Sequence, residues 1–382
     1  MRPFHCTITP ALIHQQARQT LQRHLDCQPF RQSVSAAQLL DLLLLMAAHT
    51  ASLFATVRRF FPFSHETAAR AIRANLPSME RLTAALVDSL HDCLSFSNRD
   101  RRRHWLLAID THSVAYYGRR GAYVVGGPKK QGTRWSFAYA TAVLLHRRRR
   151  YTVALCPLPA QSKPDAIVRT LLDQVAPKGL RIRGVALDSG FDSGDTLLLL
   201  QERGLGYVVP LRRKGTGGNA RNRWFEGRHR LIRWVAWTTE RSHRRVRTRT
   251  LLWKGRPKTW VFAFAGWGGD RARQVHQQAL RQRRLYRRRF GIETSYRQKN
   301  QAQAQTTSRD PVYRLLLEGL GYLLRQLWVA LTEELARRRH AGPGKWIGSL
   351  PLAMLLDWLA HELTALYPEN RSIPLKATGC TT

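Results

Sequence analysis

Residues 104–117 read HWLLAIDTHSVAYY, an apolar run that leads to a single acid, Asp110. The run has the length and composition of a buried strand. The chain continues with two more strand candidates at 134–146 and 149–158. A helix at 163–177, a strand at 182–191, a helix at 193–204 and a strand at 206–213 follow. This order predicts a mixed sheet with helices packed on it, an α/β fold.

The segment before this sheet, residues 1–98, has helical composition. Ser35 is placed to cap the helix that begins with AAQLLDLLLLMAAH. Two shorter helices follow at 52–60 and 66–76, joined by the turn FPFSH. Such a pair has the form of a helix-turn-helix that reads the major groove of DNA, but it also fits a plain helical bundle. Both interpretations stay open at this point.

The chain after the sheet adds a β-rich insertion and then helices. The insertion begins with a glycine- and arginine-rich loop and continues with strand-like alternation. A long helix is predicted at about 271–304 and an apolar packing helix at 311–338. The predicted division begins with a helical, DNA-binding segment at 1–98 and the first part of the core at 99–210. The insertion follows at 211–268, the second part of the core at 269–338, and a C-terminal helix with a tail at 339–382.

The charge of the chain is strongly positive. Its 63 Lys and Arg against 25 Asp and Glu give a net charge of +38, and 43% of its residues are hydrophobic, enough for a real core. Residues 204–300 hold 26 basic and 4 acidic residues, a net +22 and more than half of the total. Such a field attracts polyanions, of which DNA is the usual one. The polyanion site is therefore expected in this stretch.

Cysteine usage and apolar runs bear on the compartment. The five cysteines are scattered, form no CxxC pair and have no histidine cluster beside them, so neither a zinc site nor a disulfide framework is expected. The start of the sequence lacks the apolar core of a signal peptide. The longest apolar runs are short or interrupted by Asp41, Glu318 and Arg325, so we expect buried helices and no membrane contact. A reducing, cytoplasmic location fits.

Asp110 and Asp188 follow apolar strand runs in the same way, after LLAI and VAL. Sites in open α/β sheets form at the carboxyl ends of strands, so we expect the two acids to lie together. They can share a divalent cation there, because Mg²⁺ prefers oxygen ligands and leaves positions for water and substrate phosphate. Taken singly, each aspartate is an ordinary strand-ending residue.

Glu293 is one acid within a very basic segment, RRLYRRRFGIETSYRQKNQ at 283–301. On a helical wheel, it shares a stripe with Tyr286, Arg289, Arg297 and Asn300, beside an apolar seam. It is therefore expected at the border between core and groove, where a third carboxylate could complete a metal site with the two aspartates. The alternative is an ordinary ion pair of Glu293 with Arg289 or Arg297, four residues away on either side.

These motifs together resemble the DDE-class transposases of bacterial insertion sequences, the cut-and-paste group with a Tyr-x2-Arg-x3-Glu-x6-Lys signature. YRRRFGIE provides Tyr286, Arg289 and Glu293 at that spacing, and LLAIDT and VALDSGF match the contexts of the two aspartates. The order of aspartate, aspartate, β-insertion and glutamate on a helix matches as well. The resemblance covers about residues 100–330.

The resemblance implies an RNase H-like mixed sheet with a β-rich insertion, preceded by a helical domain and followed by C-terminal helices. Asp110, Asp188 and Glu293 would be catalytic and would bind two Mg²⁺ or Mn²⁺ ions. The enzyme would cut DNA at the terminal inverted repeats of its element and join the 3′-hydroxyl ends to target DNA. Tyr286 and Arg289 would grip DNA, and the enzyme would act as a homodimer in the prokaryotic cytoplasm, on the nucleoid.

Two details of the resemblance stay open. The position of the signature lysine is occupied by Asn300. Two residues are candidate substitutes for DNA binding: Arg297, which lies on the stripe, and Lys299, which is adjacent to Asn300 but lies on another face. In related enzymes, a tryptophan of the insertion stacks on a flipped base, and the sequence does not choose among the candidates Trp224, Trp234, Trp237, Trp253, Trp260 and Trp267.

Two other functional classes compete with a transposase. One is a non-catalytic DNA-binding protein derived from a transposase, which keeps the basic surface alone. The other is an RNase H-like nuclease that cuts DNA without joining it. Nothing structural requires an acid at all three positions, Asp110, Asp188 and Glu293, which favours an enzyme.

Overall fold

The computed structural model describes residues 8–97, 100, 102–145, 150–215, 220–256, 258–266, 272–339 and 350–370. The chain divides into two compact units. Unit 1 comprises Met1–Cys93 and Gln298–Thr382, and unit 2 comprises Leu94–Arg297.

The described residues form eleven α-helices and nine strands. The helices are α1 Pro10–His24, α2 Ala36–Ala48, α3 Leu53–Phe60, α4 His65–Asn75, α5 Met79–Asp92, α6 Pro164–Val175, α7 Gly194–Glu202, α8 Ala272–Arg289, α9 Gly291–Lys299, α10 Pro311–Arg339 and α11 Leu352–Leu366. The strands are β1 Trp105–Tyr116, β2 Val124–Lys130, β3 Thr133–Leu145, β4 Arg150–Pro157, β5 Ile182–Leu187, β6 Gly206–Leu211, β7 Ile232–Thr238, β8 Arg245–Lys254 and β9 Thr259–Ala265. The predicted mixed α/β arrangement with helices at both ends is confirmed.

Unit 1 is helical, and its helices begin where the sequence supplies capping side chains. Ser35 accepts a hydrogen bond from the backbone N–H of Gln38, whose side chain accepts in turn from the N–H of Ser35. This reciprocal cap satisfies two N–H groups that an uncapped helix leaves without a partner. Residues 39–47 of α2 are all buried. Asp41 lies among them, and His14 and Tyr367 contact its two oxygens at 2.8 Å.

The two helices of the predicted helix-turn-helix are formed as α3 and α4. Ser52 and Ser64 cap them, and a four-residue connection joins them. Arg70 and Arg73 of α4 are exposed. Reading of DNA by this pair stays a prediction.

Unit 2 is built on a sheet in which β1 is central. β1 pairs antiparallel with β3 and parallel with β5, and β5 pairs parallel with β6. Among the described strands, the order is β2-β3-β1-β5-β6-β9-β8-β7, and β4 also pairs with β3. α6 connects β4 to β5 and α7 connects β5 to β6, and α6 packs on β3 and β4 while α8 packs on β5, β6 and β9.

The strands predicted as a β-rich insertion belong to this same sheet. β9 pairs antiparallel with β6, from Tyr207 opposite Ala265 to Leu211 opposite Val261. β8 and β7 follow it outward. The segment between β6 and α8 therefore widens the sheet. The domain boundaries drawn from the sequence stay predictions.

The single long helix predicted at about 271–304 is wrong, because the chain turns at Phe290 between α8 and α9. The guanidinium of Arg150 donates to the carbonyl of Arg288 at 3.3 Å. A Cβ at Gly291 would lie 2.5 Å from Nε of Arg150, so a larger residue there would displace this guanidinium. Glycine also disfavours a continuous helix. The wheel drawn through the break still places Ile292 and Tyr296 correctly on the buried side, but it does not place Glu293, which is exposed.

None of the described helices combines the length and the apolar character that a bilayer span requires.

Candidate active site

Strand register brings Asp110 and Asp188 together. The parallel pairing of β1 with β5 ends at Ile109 opposite Leu187, so the next residue on each strand is an aspartate. Adjacent strands lie about 4.8 Å apart, which places the two carboxylates side by side. Asp188 directly follows β5. The expectation that Asp110 also ends its strand is wrong, because antiparallel pairing with β3 carries β1 on to Tyr116.

Arg289, the last residue of α8, bridges the two aspartates. Its Nη1 lies 2.6 Å from Oδ2 of Asp110, and its Nη2 lies 3.4 Å from Oδ1 of Asp188. Arg289 and Asp110 are buried, whereas 35% of the Asp188 side chain is exposed. A planar guanidinium suits this two-point contact with carboxylates. The site thus has a closed end at Asp110 and an open end at Asp188.

Burial sets the ionisation of the closed end. It raises the pKa of Asp110 to about 6, partly countered by Arg289 and by the N–H of Thr111 and reinforced by Asp188. The Thr111 N–H donates to Oδ1 of Asp110 at 2.9 Å. Burial alone would lower the pKa of Arg289, but Asp110, Tyr286 and Asp188 outweigh it and raise that pKa. The arginine is therefore charged throughout the accessible pH range.

Tyr286 packs against Arg289. Its ring is buried against Phe262, 5.1 Å away between centroids, and against Phe290 at 5.7 Å. The guanidinium of Arg289 lies 5.3 Å from the centre of the Tyr286 ring. Burial raises the pKa of Tyr286, so its hydroxyl stays protonated. In this structure Tyr286 positions Arg289, and its ring has little surface left for DNA.

α9 is attached to the same strands through Tyr296. The hydroxyl of Tyr296 lies 2.9 Å from that of Thr141, the residue paired with Asp110 across the sheet. The ring of His112 lies 5.1 Å from the Tyr296 ring. These contacts fix α9, the helix that carries Glu293, beside the strand that carries Asp110.

Glu293 stands apart from this pair. It is exposed in the first turn of α9, and its backbone N–H donates to the carbonyl of Phe290 at 3.2 Å. The expected position at the border of the core is therefore wrong, because the side chain is exposed to solvent. Neither Arg289 nor Arg297 forms an ion pair with Glu293 among the described contacts, although both lie four residues away.

The donors fit a divalent cation in part. The adjacent carboxylates of Asp110 and Asp188 offer the hard oxygen ligands that Mg²⁺ and Mn²⁺ prefer. Within the described ranges, however, no three side chains of the Asp, Glu, His and Cys types stand close enough together to hold a metal ion. The fit therefore extends to the two aspartates and not to Glu293.

The two candidates for the signature lysine have opposite surroundings. Arg297 is exposed. Lys299 has 0% exposure, and its Nζ lies 2.8 Å from Oε1 of Glu318 in the interior of unit 1. A Cβ at Gly321 would lie 2.9 Å from the Lys299 side chain, so the glycine makes room for it. The prediction that Lys299 contacts DNA does not fit this structure, because its charge is already neutralised in the core.

Asp192 is a residue whose part the sequence pattern did not reveal. Both of its carboxylate oxygens accept hydrogen bonds from Arg221, and Oδ2 also accepts from the N–H of Arg212 at 2.7 Å. The pair is buried. It ties the loop that carries Asp188 to the segment before β7. The sequence does contain a usable signal, because Asp192 is an acid in a basic chain and lies close to Asp188 in the sequence.

One tryptophan of β7–β9 faces the solvent. Trp234 is 52% exposed, and the guanidinium groups of Arg247 and Arg249 lie 4.6 and 4.7 Å from its ring centre. Arg249 is its direct partner across the strands. Trp267 lies outside the described residues. The other four candidates are only partly exposed: Trp224, Trp237, Trp253 and Trp260.

Comparison with known proteins identifies the fold. No protein-family model matches the sequence, and no curated protein matches it either. Among solved structures, the chain is similar to the piggyBac transposase in a cryo-electron microscopy structure of its synaptic complex with hairpin DNA. The TM-score is 0.58 at 12% sequence identity, over 96% of this chain and 82% of that one. The chain therefore has a transposase-like fold.

Proposed function

We propose that this protein is a DNA transposase that cleaves phosphodiester bonds at the ends of its element and joins them to target DNA. One observation carries the proposal. Asp110 and Asp188 occupy adjacent register positions where β1 and β5 cease to pair, in a fold shared with a transposase. The net charge of +38 supports a polyanionic substrate.

The proposed fold is RNase H-like in its finer detail. The strands β4, β3 and β1 are successively antiparallel, and β5 and β6 then add parallel to β1. This order supports an RNase H-like core, to which β9, β8 and β7 are added at one edge. Acids at the carboxyl ends of parallel strands are where such a sheet opens to its substrate.

Asp110 and Asp188 are proposed to hold Mg²⁺ or Mn²⁺, with Glu293 as a third acid that joins them when DNA is bound. When bound, two such ions would supply an activated water or 3′-hydroxyl and would stabilise the leaving oxygen. Asp188, at the open end, would be the more accessible of the two ligands, because Asp110 is buried. The exposed Glu293 needs a rearrangement of the start of α9, which follows directly on the turn at Phe290.

Arg289 is proposed to exchange partners during this assembly. Its charge now neutralises the aspartates. A DNA phosphate is the other anion that a guanidinium binds at two points. Transfer of Arg289 from the carboxylates to a phosphate would free both acids and grip the strand at once. Tyr286 keeps the side chain within reach of either position.

Further contacts with DNA are proposed for two exposed side chains. Arg297 would meet a phosphate along α9. Trp234, flanked by two arginines, is the tryptophan that we propose stacks on an extruded base. Stacking of a base on an aromatic ring stabilises a complex by about 1–3 kcal/mol. The enzyme is further proposed to act as a homodimer on paired ends, on the nucleoid of a prokaryotic cytoplasm.

Excision from a plasmid that carries the gene with its own flanking DNA tests the proposal. Wild type and Asp173→Asn, a matched change at an exposed acid of α6, should excise the element, and Asp188→Asn should not. All three should shift the flanking DNA in a gel. Excision by Asp188→Asn at the wild-type level would overturn the proposed site. If all three proteins bind the flanking DNA and none excises the element, the chain is a non-catalytic DNA-binding protein, and cutting without joining would leave a nuclease.

A further inference from the structure

β1 and β3 continue together beyond the aspartates. Their register runs from Thr111 opposite Ala140 to Tyr116 opposite Trp135. β2 joins β3 on the other side, with Gly126 opposite Trp135. Residues 111–136 thus form a three-stranded extension of the sheet, here called the arm. The arm shares its strands with Asp110 and is therefore fixed relative to the site.

The arm carries positive charge without any acid. Residues 111–164 contain no Asp or Glu. Arg119, Arg120, Lys129 and Arg134 are exposed, and none of these four pairs with a carboxylate in the described part of the chain. Four unpaired cations on so short a segment repel each other, which is a cost unless an anion binds there.

Some arginines elsewhere in unit 2 are neutralised by nearby acids. On and near α6 and α7, Arg203 pairs with Asp173 at 2.6 Å and Arg244 with Glu202 at 2.6 Å. Arg241 also contacts an acid of α6. The arm, in contrast, has no acid of its own to neutralise its cations.

A groove of small side chains lies along the arm. A cavity of about 420 Å³ is lined by Ser113, Ala115, Thr133 and Ser136, with Arg134 among the lining residues. Because side chains alternate along a strand, Ser113 and Ala115 lie on the face of β1 opposite Asp110. Small side chains let a backbone approach the sheet closely, and hydroxyl groups can donate to phosphate oxygens.

The tip of the arm is ordered by its own contacts. The guanidinium of Arg120 lies 3.8 Å from the ring centre of Trp135. The hydroxyl of Tyr117, which is 72% exposed, donates to the carbonyl of Gln131 at 2.7 Å. These contacts hold the basic groups in place before any ligand arrives, which reduces the entropy lost on binding.

We infer that the arm is a second DNA-binding surface, which holds the phosphate backbone of a duplex on the face of the sheet opposite Asp110. The inference rests on the proposed function for the identity of the polyanion. Unpaired arginines, an exposed aromatic ring and a groove of small polar side chains together fit a nucleic acid backbone better than an acidic protein surface, which would require a matching apolar contact.

The salt dependence of DNA binding tests the inference. The arm variant Arg119→Gln/Arg120→Gln/Arg134→Gln is compared with the control Lys163→Gln/Arg169→Gln/Arg181→Gln, which removes three exposed cations on and near α6. The probe is a duplex of about 40 base pairs of arbitrary sequence, titrated from about 50 to 200 mM salt. The arm variant should reduce the slope of log K against log salt by about 2–3, since each lost phosphate contact removes about 0.9. The control should keep the wild-type slope.

Equal slopes for wild type and the arm variant, or an equal loss in both variants, would overturn the inference. A second measurement on wild type applies if the arm variant does not fold. DNA should protect Arg119, Arg120 and Arg134 from phenylglyoxal, and protection by polyglutamate but not by the duplex would assign the arm to an acidic protein instead. If only the inference about the arm is wrong, the wild-type protein still cleaves DNA. If the proposed function is wrong, the wild-type protein does not cleave DNA.

Discussion

Nη1 of Arg289 lies 2.6 Å from a carboxylate oxygen of Asp110, within the protein and not at its surface. The contact links the end of α8 to the middle of β1, 179 residues earlier in the chain. It gives the aspartate pair an internal counter-charge. A divalent cation at these acids has to compete with an arginine that is already in place.

Arg289→Ala should therefore strengthen binding of Mn²⁺ to the DNA-free protein. Removal of a unit charge within hydrogen-bonding distance of the ligands should increase affinity at least tenfold, or about 1.4 kcal/mol. Electron paramagnetic resonance of free Mn²⁺ measures this without any cleavage. Arg297→Ala is the matched control, because Arg297 is exposed on α9 and contacts neither aspartate.

The same variant should also lose one phosphate contact. Arg289→Ala should weaken DNA binding and reduce the salt slope by about one unit. If the Mn²⁺ affinity and the salt slope both stay at wild-type values, Arg289 neither competes with the metal ion nor contacts a phosphate, and its role is to stabilise the fold.

Lys299→Met should destabilise the protein by about 3–5 kcal/mol, because Glu318 is left buried without its counter-charge. The double variant Lys299→Met/Glu318→Leu should recover most of the loss, since neither charge is then buried. Urea unfolding measures both. Arg297→Met, on the exposed side of the same helix, should change stability by less than about 0.5 kcal/mol.

DNA binding separates the two candidates for the signature lysine. Arg297→Met should reduce the salt slope by about one unit. The folded double variant at Lys299 and Glu318 should keep the wild-type slope. A reduced slope in that double variant would return Lys299 to the list of DNA contacts.

The parts of the fold that depend on neighbouring residues could be predicted from the sequence. Ser35 with Gln38 three residues later marks a helix start, and the structure has the cap. The strand–helix alternation from residue 104 to 213 predicts a mixed sheet, and the structure has one. Both signals are local, because a cap or an apolar run is complete within a few residues.

Features that depend on distant partners could not be predicted in this way. The turn at Phe290 lies beside Arg150 of β4, and the buried Lys299 pairs with Glu318 on another helix. The extension of β1 past Asp110 depends on β3. In the site, the sequence drew attention to Asp110, Asp188 and Arg289, but a spacing rule does not reveal that the arginine binds the aspartates themselves.

Stability without metal should depend on pH through Asp110. Burial raises its pKa to about 6, from 3.8 for an unperturbed carboxyl. The folded state therefore holds this proton more tightly, so the stabilising contribution is complete below about pH 4 and is lost as the pH rises through about 6. The loss is on the order of 3 kcal/mol.

Urea unfolding in EDTA from about pH 4 to 7 measures this effect. Asp110→Asn has no proton to lose, so its stability should rise relative to wild type across that range. Asp173→Asn, an exposed acid of α6, serves as the control and should run parallel to wild type. A constant difference between wild type and Asp110→Asn would mean that Asp110 titrates like an unperturbed carboxyl.

Trp234→Ala should impair recognition of an unpaired base while leaving the fold intact, because the ring is 52% exposed and contacts two arginine side chains at the surface. The measurement compares a duplex of about 40 base pairs with the same duplex carrying one unpaired thymine. Wild type should prefer the second by roughly 5- to 150-fold, which corresponds to about 1–3 kcal/mol of stacking. Trp234→Ala should lose that preference, and Trp234→Phe should keep most of it because phenylalanine still presents a ring. If alanine keeps the preference, base stacking belongs to another side chain, and Trp234 serves only to order Arg247 and Arg249.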